Sequence, residues 1–328
     1  MKTYNIIVIG AGPAGISAAI AAKKEGIDNL IILDREDNLG GILNQCIHDG
    51  FGMDTFKENI TGPEYAERLI DIVKTLNIGY KTKTTVLNID RGNIVTAVNG
   101  IDGVFRIRGK ALIYAAGARE NGNLKGDINR NKCAGIYTAG TVQRFVNVEG
   151  YVTGKNAIIL GSNNLGLIMA GRLVIEGIHV KAIIEPENHI LGLEKNFMNW
   201  VKPFDIPLKL GYDIIGIEGI KRITGVTIIK VDINHRRQEG TEKFIACDNL
   251  ILASKLIPET EIISKLGVSM CKKNNEPKVD ETLQTNISGI FVCGNALHIN
   301  EFADSVAKEG NIAGINAAKY IKFDGSVF

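Results

Sequence analysis

The hydrophobic residues of this chain form short apolar runs that alternate with helical patterns, and twice they do so in the order strand, helix, strand. This order is that of a βαβ unit, from which parallel sheets are built. The two units cover 5–9, 13–26 and 30–34, and then 157–160, 164–177 and 179–185. The pattern therefore predicts an α/β fold.

Further elements are predicted around these two units. A helix is expected over 62–77, because Thr61 is a capping residue and Pro63 stands at an early helical position. The others are β-like runs at 84–89, 93–99 and 103–108, a buried strand at 111–117, a β-rich region at 207–254 and a helix at 303–322.

Each unit carries a glycine-rich turn between its first strand and its helix. The first turn reads Gly10-Ala11-Gly12-Pro13-Ala14-Gly15, and Asp34 closes the next strand. Gly10 allows a tight turn, Gly12 lets a pyrophosphate approach the backbone, and Gly15 lets the helix pack on the strand. The acid at the end of the second strand can bond a ribose hydroxyl. The first unit is therefore predicted to bind a dinucleotide.

The second turn reads Gly161-Ser162-Asn163-Asn164-Leu165-Gly166, and Glu185 ends the following strand. Two dinucleotide sites in one chain indicate FAD beside NAD(H), and the charge of Glu185 favours NADH by repelling a 2′-phosphate. Asn163 replaces the middle glycine, so its side chain is expected to crowd the pyrophosphate and to require an unusual backbone angle. The alternative is a domain that keeps the fold and has lost the ligand.

Composition narrows the choice of partners. The chain has 328 residues, of which 45% are hydrophobic and 23% charged, with a net charge of +2. These values are ordinary for a two-domain globular protein and give no reason to expect nucleic acid as a partner. No apolar run is as long as a membrane span, and the N-terminus leads directly into a strand, so a cytoplasmic location is expected. The five cysteines include no Cys-x-x-Cys pair, so no zinc site is expected.

The chain resembles the flavoproteins with two dinucleotide-binding domains, the family that includes thioredoxin reductase and the pyridine-nucleotide-disulfide reductases. The resemblance is carried by the first glycine turn and by Gly40-Gly41, Thr61-Gly62-Pro63, 111–117 and 289–295. It implies two Rossmann-like three-layer domains, with the NAD domain inserted into a split FAD domain. The implied boundaries are 1–117 and 255–328 for the FAD domain and 118–254 for the NAD(H)-binding domain. More narrowly, 40–48 resembles a bacterial branch of FAD-dependent oxidoreductases associated with glycerol-3-phosphate or hydroxy-acid dehydrogenases.

The resemblance also implies residues along the cofactors. Asn295 stands where relatives usually carry an Asp that bonds the ribityl chain, and the helix after it is expected to point its N-terminus at the flavin. The positive end of that helix would stabilise the reduced flavin. The implied FAD residues are Gly10, Gly12, Pro13, Ala14, Gly15, Asp34, Arg35, Gly41, Gln45, Val86, Ala116, Gly117, Gly294, Asn295 and Ala303, and the implied NAD(H) residues are Gly161, Asn163, Gly166 and Glu185.

The cysteines bear on the reaction class. The stretch where thioredoxin reductases carry their Cys-x-x-Cys pair reads Ala139-Gly140-Thr141-Val142, and the region after the Gly-Gly turn has Cys46 alone, with His48 two residues on. Disulfide reduction by a dithiol is therefore not expected. Cys46 and His48 are candidate catalytic residues, against the alternatives of an inert thiol and a structural histidine.

These features favour an FAD-dependent oxidoreductase that passes electrons between NAD(H) and a small-molecule or protein acceptor. Three alternatives remain open at this point. They are an FAD-bearing subunit of a multi-subunit dehydrogenase, a single-cysteine NADH oxidase or peroxidase, and a non-catalytic nucleotide sensor. A partner dehydrogenase subunit or a homodimer is compatible with each enzyme interpretation.

Overall fold

The computed structural model describes residues 1–122, 133–272 and 274–324. The chain divides into two compact units. Unit 1 consists of Met1–Arg119 together with the segment from Leu256 onward, and unit 2 consists of Glu120–Lys255. Among the described residues, no helix is both long enough and apolar enough to cross a membrane.

The strands are β1 (Lys2–Ile9), β2 (Leu30–Leu33), β3 (Asp49–Phe51), β4 (Ile60–Thr61), β5 (Gly79–Lys81), β6 (Thr85–Asp90), β7 (Ile94–Asn99), β8 (Gly103–Tyr114), β9 (Ala118–Glu120), β10 (Ile136–Thr138), β11 (Asn156–Leu160), β12 (His179–Glu185), β13 (Leu208–Leu210), β14 (Tyr212–Gly219), β15 (Ile223–Lys230), β16 (Lys243–Ala246), β17 (Asn249–Leu252), β18 (Leu256–Pro258) and β19 (Ile290–Val292).

The α-helices are α1 (Pro13–Lys24), α2 (Gly62–Thr75), α3 (Ala139–Asn147), α4 (Asn164–Ile175), α5 (Glu194–Trp200), α6 (Glu261–Leu266) and α7 (Ala303–Asp324), and short 3₁₀ helices cover Gly41–Gln45, Lys202–Phe204 and Gly294–Ala296.

The main sheet of unit 1 has the order β5-β2-β1-β8-β7-β6, and β19 pairs with β8. The strands around β1 are parallel, whereas β6, β7 and the first half of β8 form an antiparallel meander. The sequence pattern predicts separate strands at 103–108 and 111–117, and this is wrong. β8 is continuous because it pairs with β1 from Lys2–Ile107 to Ile9–Tyr114.

Alternate residues of β1 supply two cores. Ile6 and Val8 pack on one face of the sheet with α1 and α7, while Ile7 and Ile9 pack on the other. Helix α1 is buried from Pro13 through Ala22, because α7 lies against it. Gly310 and Gly314 make this approach possible, since a Cβ at either position would overlap the backbone of α1.

Unit 2 contains a five-stranded parallel sheet of order β10-β17-β11-β12-β13 and a three-stranded antiparallel sheet, β14-β15-β16. In both units the first βαβ element forms, and its helix starts inside the glycine turn, at Pro13 in unit 1 and at Asn164 in unit 2. The carboxyl ends of β1 and β11 therefore carry the two glycine turns.

Candidate functional site

The first glycine turn leaves open space beside its middle residue. Gly10 has a left-handed φ of +101°, and a Cβ there would overlap the carbonyl of Ala115, next to Ala116. A Cβ at Gly15 would overlap the carbonyl oxygen of Gly10, so helix and strand are in close contact. A Cβ at Gly12, by contrast, would meet nothing within 4 Å. The turn is therefore packed at its ends and open in its middle.

The N-terminus of α1 points into this turn without a side-chain cap. Gly12 is the N-cap residue, with φ −74° and ψ −176°, and Pro13 lies in the first helical turn. In the part of the chain that the structure describes, no side chain caps this helix end. Uncapped N–H groups and the positive end of the helix attract anions. The open space at Gly12 and the uncapped end of α1 fit the pyrophosphate of a dinucleotide.

Asp34 braces the same turn. Its Oδ2 accepts a hydrogen bond from the Ala11 N–H, and its Oδ1 accepts one from the Glu36 N–H at 2.8 Å. Burial raises the pKa of this carboxyl group, although the two backbone donors act in the opposite direction. A carboxylate offers about four lone-pair positions, so two of them remain for ribose hydroxyls. The next residue, Arg35, is exposed.

Gly41 closes the turn from the other side. The Gly40 N–H donates to the Ala11 carbonyl at 2.8 Å, and a Cβ added at Gly41 would lie 2.9 Å from the Cα of Gly12. The 3₁₀ helix that begins at Gly41 ends at Gln45, which is buried.

The segment after β19 meets the first turn through Gly294. Gly294 has φ +66°, and a Cβ there would lie 2.7 Å from the Cβ of Ala14 and 3.2 Å from Val306 in α7. Asn295 follows, and its Oδ1 accepts from the Asn300 N–H at 2.9 Å. Helix α7 then begins at Ala303. The structure thus brings Gly294 and the first turn of α7 beside the start of α1.

The remaining predicted FAD positions lie around β6 and β8. Val86 in β6 and Ala116 after β8 pack against the core on the Ile7 face of the sheet. The carbonyl of Gly117 accepts from the Glu259 N–H at 2.9 Å. The place of Val86 along the cofactor stays a prediction.

The two candidate catalytic residues follow the 3₁₀ helix. The Cys46 Sγ donates to the Ile42 carbonyl at 3.3 Å, and the Cys46 carbonyl accepts from the Gly62 N–H at 2.9 Å. His48 is half-buried, its Nδ1 lies 2.8 Å from the Asp49 carbonyl oxygen, and its ring centroid lies 5.2 Å from that of Phe51. Their catalytic role stays a prediction.

The second glycine turn has the same backbone as the first and a different side chain in its middle. Gly161 has φ +107°, and a Cβ at Gly166 would lie 2.5 Å from the Gly161 carbonyl oxygen. Asn163 has φ −67° and ψ 172°, so the predicted unusual backbone angle is wrong: the chain here is extended, as at Gly12. Any residue adopts this conformation without strain.

The side chain of Asn163 caps α4. Its Oδ1 accepts from the Gly166 N–H at 2.9 Å, and its Nδ2 donates to the Ala253 carbonyl at 2.9 Å. The amide therefore occupies a helix N-terminus that is uncapped in the first turn. A pyrophosphate at this helix end would compete with the amide for the same donor.

Glu185 repeats the role of Asp34. It is 2% exposed, its Oε2 accepts from the N–H and the hydroxyl of Ser162 at 2.7 and 2.8 Å, and its Oε1 accepts from the Glu187 N–H at 3.0 Å. Sequence reasoning missed Gly192, whose N–H donates to the Ser162 carbonyl at 2.8 Å, as Gly40 does to Ala11. The available signal was a glycine seven residues after the acid, comparable to Gly40 six residues after Asp34.

Two glycine turns at the carboxyl ends of parallel strands, each braced by an acid from the neighbouring strand, define a protein with two dinucleotide-binding folds. The chain belongs to the pyridine nucleotide-disulphide oxidoreductase family, whose profile matches residues 4–320. Its relatives are FAD-dependent NAD(P)H oxidoreductases, family members bind FAD and NAD(P)H, and the chain is an oxidoreductase of this type. The predicted family and the predicted fold class are both confirmed.

Individual relatives are distant. The chain is 24% identical over 312 residues to a ferredoxin–NADP reductase of Leuconostoc citreum, covering 93% of this chain and 87% of that protein. It is 24% identical over 337 residues to a thioredoxin reductase of Listeria innocua, covering 98% and 95%. An opine oxidase subunit of Rhizobium meliloti is 22% identical over 340 residues, which cover 96% of this chain and 62% of that protein. Thioredoxin reductase of T. acidophilum has a similar fold, with a TM-score of 0.78 at 21% identity and full coverage of both chains.

Proposed function

We propose that the chain is an FAD-dependent oxidoreductase that passes electrons between NAD(H) and an acceptor or partner protein through the flavin, without a protein disulfide. The observation that carries the proposal is the first glycine turn, which is open at Gly12 and directs an uncapped helix end into that opening. Bound FAD supplies hydride and single-electron chemistry. The protein's part is to bind and orient it.

Four parts of the predicted FAD site have a defined task in this proposal. The N–H groups at the start of α1 hold the pyrophosphate, and Asp34 holds the adenosine ribose. Asn295 holds the ribityl chain with its amide, which donates and accepts hydrogen bonds without adding a charge. The first turn of α7, from Ala303, directs its positive end toward the charge that the reduced flavin carries.

The sequence has no dithiol motif, and this bears on how electrons leave the flavin. The positions of the thioredoxin-reductase pair fall on the first turn of α3, where the chain has Ala139 and Val142. A disulfide intermediate needs a second thiol beside the first. We therefore assign the acceptor to a molecule or protein that takes electrons directly from the flavin.

A second candidate function is an FAD-bearing subunit of a multi-subunit dehydrogenase for an amino or hydroxy acid. One observation favours it: Asn163 caps α4, so the helix end that would bind the nicotinamide pyrophosphate already has a hydrogen-bond partner. This candidate agrees with the likeness to the Rhizobium meliloti protein, which is itself named as one subunit of an opine oxidase.

An anaerobic titration separates the two candidates. The FAD-loaded protein is mixed with NADH, with NADPH, and with dithionite as the positive control for a reducible flavin. The first candidate predicts rapid bleaching of the flavin absorbance by NADH and slower bleaching by NADPH. Bleaching by dithionite alone favours the dehydrogenase subunit, which is then tested with hydroxy and amino acids. A protein that does not bind FAD at all would contradict both candidates.

A further inference from the structure

One acidic side chain joins α7 to the segment between β19 and α7. Glu309 lies six residues after Ala303, the first residue of the helix, and its side chain is 15% exposed. Its Oε2 accepts a hydrogen bond from the Gly294 N–H, and its Oε1 lies 3.4 Å from the Nε2 of His298. A single carboxylate therefore contacts both the start and the end of the 294–298 segment.

The residue that Glu309 holds is closely packed. Gly294 is buried, has a left-handed φ of +66° and is confined between Ala14 of α1 and Val306 of α7. A buried N–H group needs an acceptor, because an unsatisfied one lowers stability. Glu309 provides that acceptor, and so it fixes the glycine that precedes Asn295.

A neutral acceptor could satisfy the same N–H group, so the charge of Glu309 needs its own explanation. Burial raises the pKa of Glu309, while the nearby His298 and the Gly294 N–H lower it. The same carboxylate raises the pKa of the buried Cys293 thiol, although burial is the larger cause. The charge of Glu309 thus acts on Cys293, the residue directly before Gly294.

We propose that Glu309 is the positioning residue of the flavin-binding segment Gly294–Asn295, and that its charge tunes the reduction potential of bound FAD. The inference rests on the proposed function, because it takes Asn295 as the ribityl partner. A reduced flavin carries additional negative charge, which a carboxylate at this segment opposes. Glu309 therefore lowers the potential.

The test uses the full chain loaded with FAD and compares Glu309→Gln with Glu281→Gln. Glu281 is an exposed acid of the same unit, so its variant controls for the loss of one charge. The readouts are the midpoint potential of the bound flavin, measured against reference dyes, and the FAD dissociation constant. Glu309→Gln should keep FAD affinity within about threefold, because the amide oxygen still accepts from Gly294. Its potential should become more positive, while Glu281→Gln should match the wild type.

One further variant separates the positioning role from the charge. Glu309→Ala leaves the Gly294 N–H without an acceptor and should weaken FAD binding by about 5- to 150-fold. If Glu309→Ala does not fold, the potential of Glu309→Gln still decides the tuning role. FAD affinity lowered by more than about threefold in folded Glu309→Gln would then overturn the positioning role, because its amide oxygen still accepts from Gly294.

The outcomes distinguish this inference from the function beneath it. A wild type that binds FAD, together with a Glu309→Gln potential equal to that of Glu281→Gln, would overturn the tuning role alone. FAD affinity unchanged in a folded Glu309→Ala would overturn the positioning role. A wild type that binds no FAD would overturn the proposed function and this inference with it.

Discussion

Replacing Asn163 by alanine is expected to strengthen NADH binding and to weaken the fold of unit 2 by a similar free energy. In the wild type, the amide of Asn163 bonds the Gly166 N–H and the Ala253 carbonyl, both at 2.9 Å. A pyrophosphate that binds at the start of α4 must displace the first of these bonds and disturb the second. Alanine removes that competition before the ligand arrives.

The magnitude follows from the two bonds. Each contributes about 0.5 to 1.5 kcal/mol net, so the competition is worth about 1 to 3 kcal/mol. This corresponds to an NADH dissociation constant lower by about 5- to 150-fold. Asn163→Gly should behave similarly. Backbone strain adds nothing to either figure, because φ at Asn163 is −67°.

The assay is a calorimetric NADH titration of the FAD-loaded protein, combined with chemical unfolding of each variant. Asn164→Ala is the matched control. The Oδ1 of Asn164 accepts two hydrogen bonds, from the Leu193 N–H at 2.7 Å and the Asn196 amide at 2.8 Å, but it does not cap α4. The control should therefore lose stability without gaining NADH affinity.

One result would refute the reasoning about Asn163. If the wild type binds NADH at low micromolar concentration and both Asn163 variants bind it more weakly, the amide contacts the phosphates directly. The Asn163 amide would then cap α4 only in the absence of NADH and would bind the phosphates when NADH is present. The dehydrogenase-subunit candidate would lose its main support.

Three further predictions test the first unit. Gly12→Val should give colourless protein of nearly wild-type stability, because a Cβ at this position meets no protein atom within 4 Å and extends into the FAD space. Gly15→Ala should instead destabilise the fold, because its Cβ overlaps the Gly10 carbonyl oxygen. Flavin absorbance and unfolding curves check both variants. Turnover with small disulfides should be absent from the wild type and from Cys46→Ser, and turnover that survives in the variant would contradict the argument from the missing dithiol. The pKa of Glu309 is raised in the folded state above its ordinary value of 4.5, so the wild type loses stability as pH rises just above 4.5 and the carboxyl group ionises. Glu309→Gln has no such group and should gain stability relative to the wild type over that pH interval, measured by urea unfolding. A stability difference that does not change with pH would contradict the raised pKa of Glu309.

The sequence predicted the elements around each glycine turn because apolar runs and glycines act locally. Helices α1 and α4 begin at the predicted residues and end two residues early, at Lys24 and Ile175. Both are followed by a glycine with positive φ, Gly26 and Gly177, which terminates the helix. The local signal was therefore present, and only the offset of the glycine from the helix end was missed.

Two features that the sequence did not predict, helix α3 and the hydrogen bond from Gly294 to Glu309, depend on contacts between residues that are distant along the chain. Helix α3 was missed because its nine residues include Thr141, Val142 and Val146, which favour strands. Its apolar face is stabilised by packing against the core of unit 2. The link from Glu309 to Gly294 was missed because nothing in the local pattern of α7 indicates a carboxylate directed at a backbone N–H fifteen residues earlier.

Gly12 and Asn163 occupy the same position in the two glycine turns. Sequence reasoning gave two reasons for a middle glycine, which were room for a pyrophosphate and an unusual backbone angle. The second reason is wrong, because both residues have the same extended backbone. Glycine at this position is needed for empty space and an uncapped helix end. Asparagine keeps the backbone and supplies both a side chain and a cap. The difference between the two turns therefore lies in access to the helix N-terminus, and a variant that opens one or fills the other should alter binding in that unit while its fold persists.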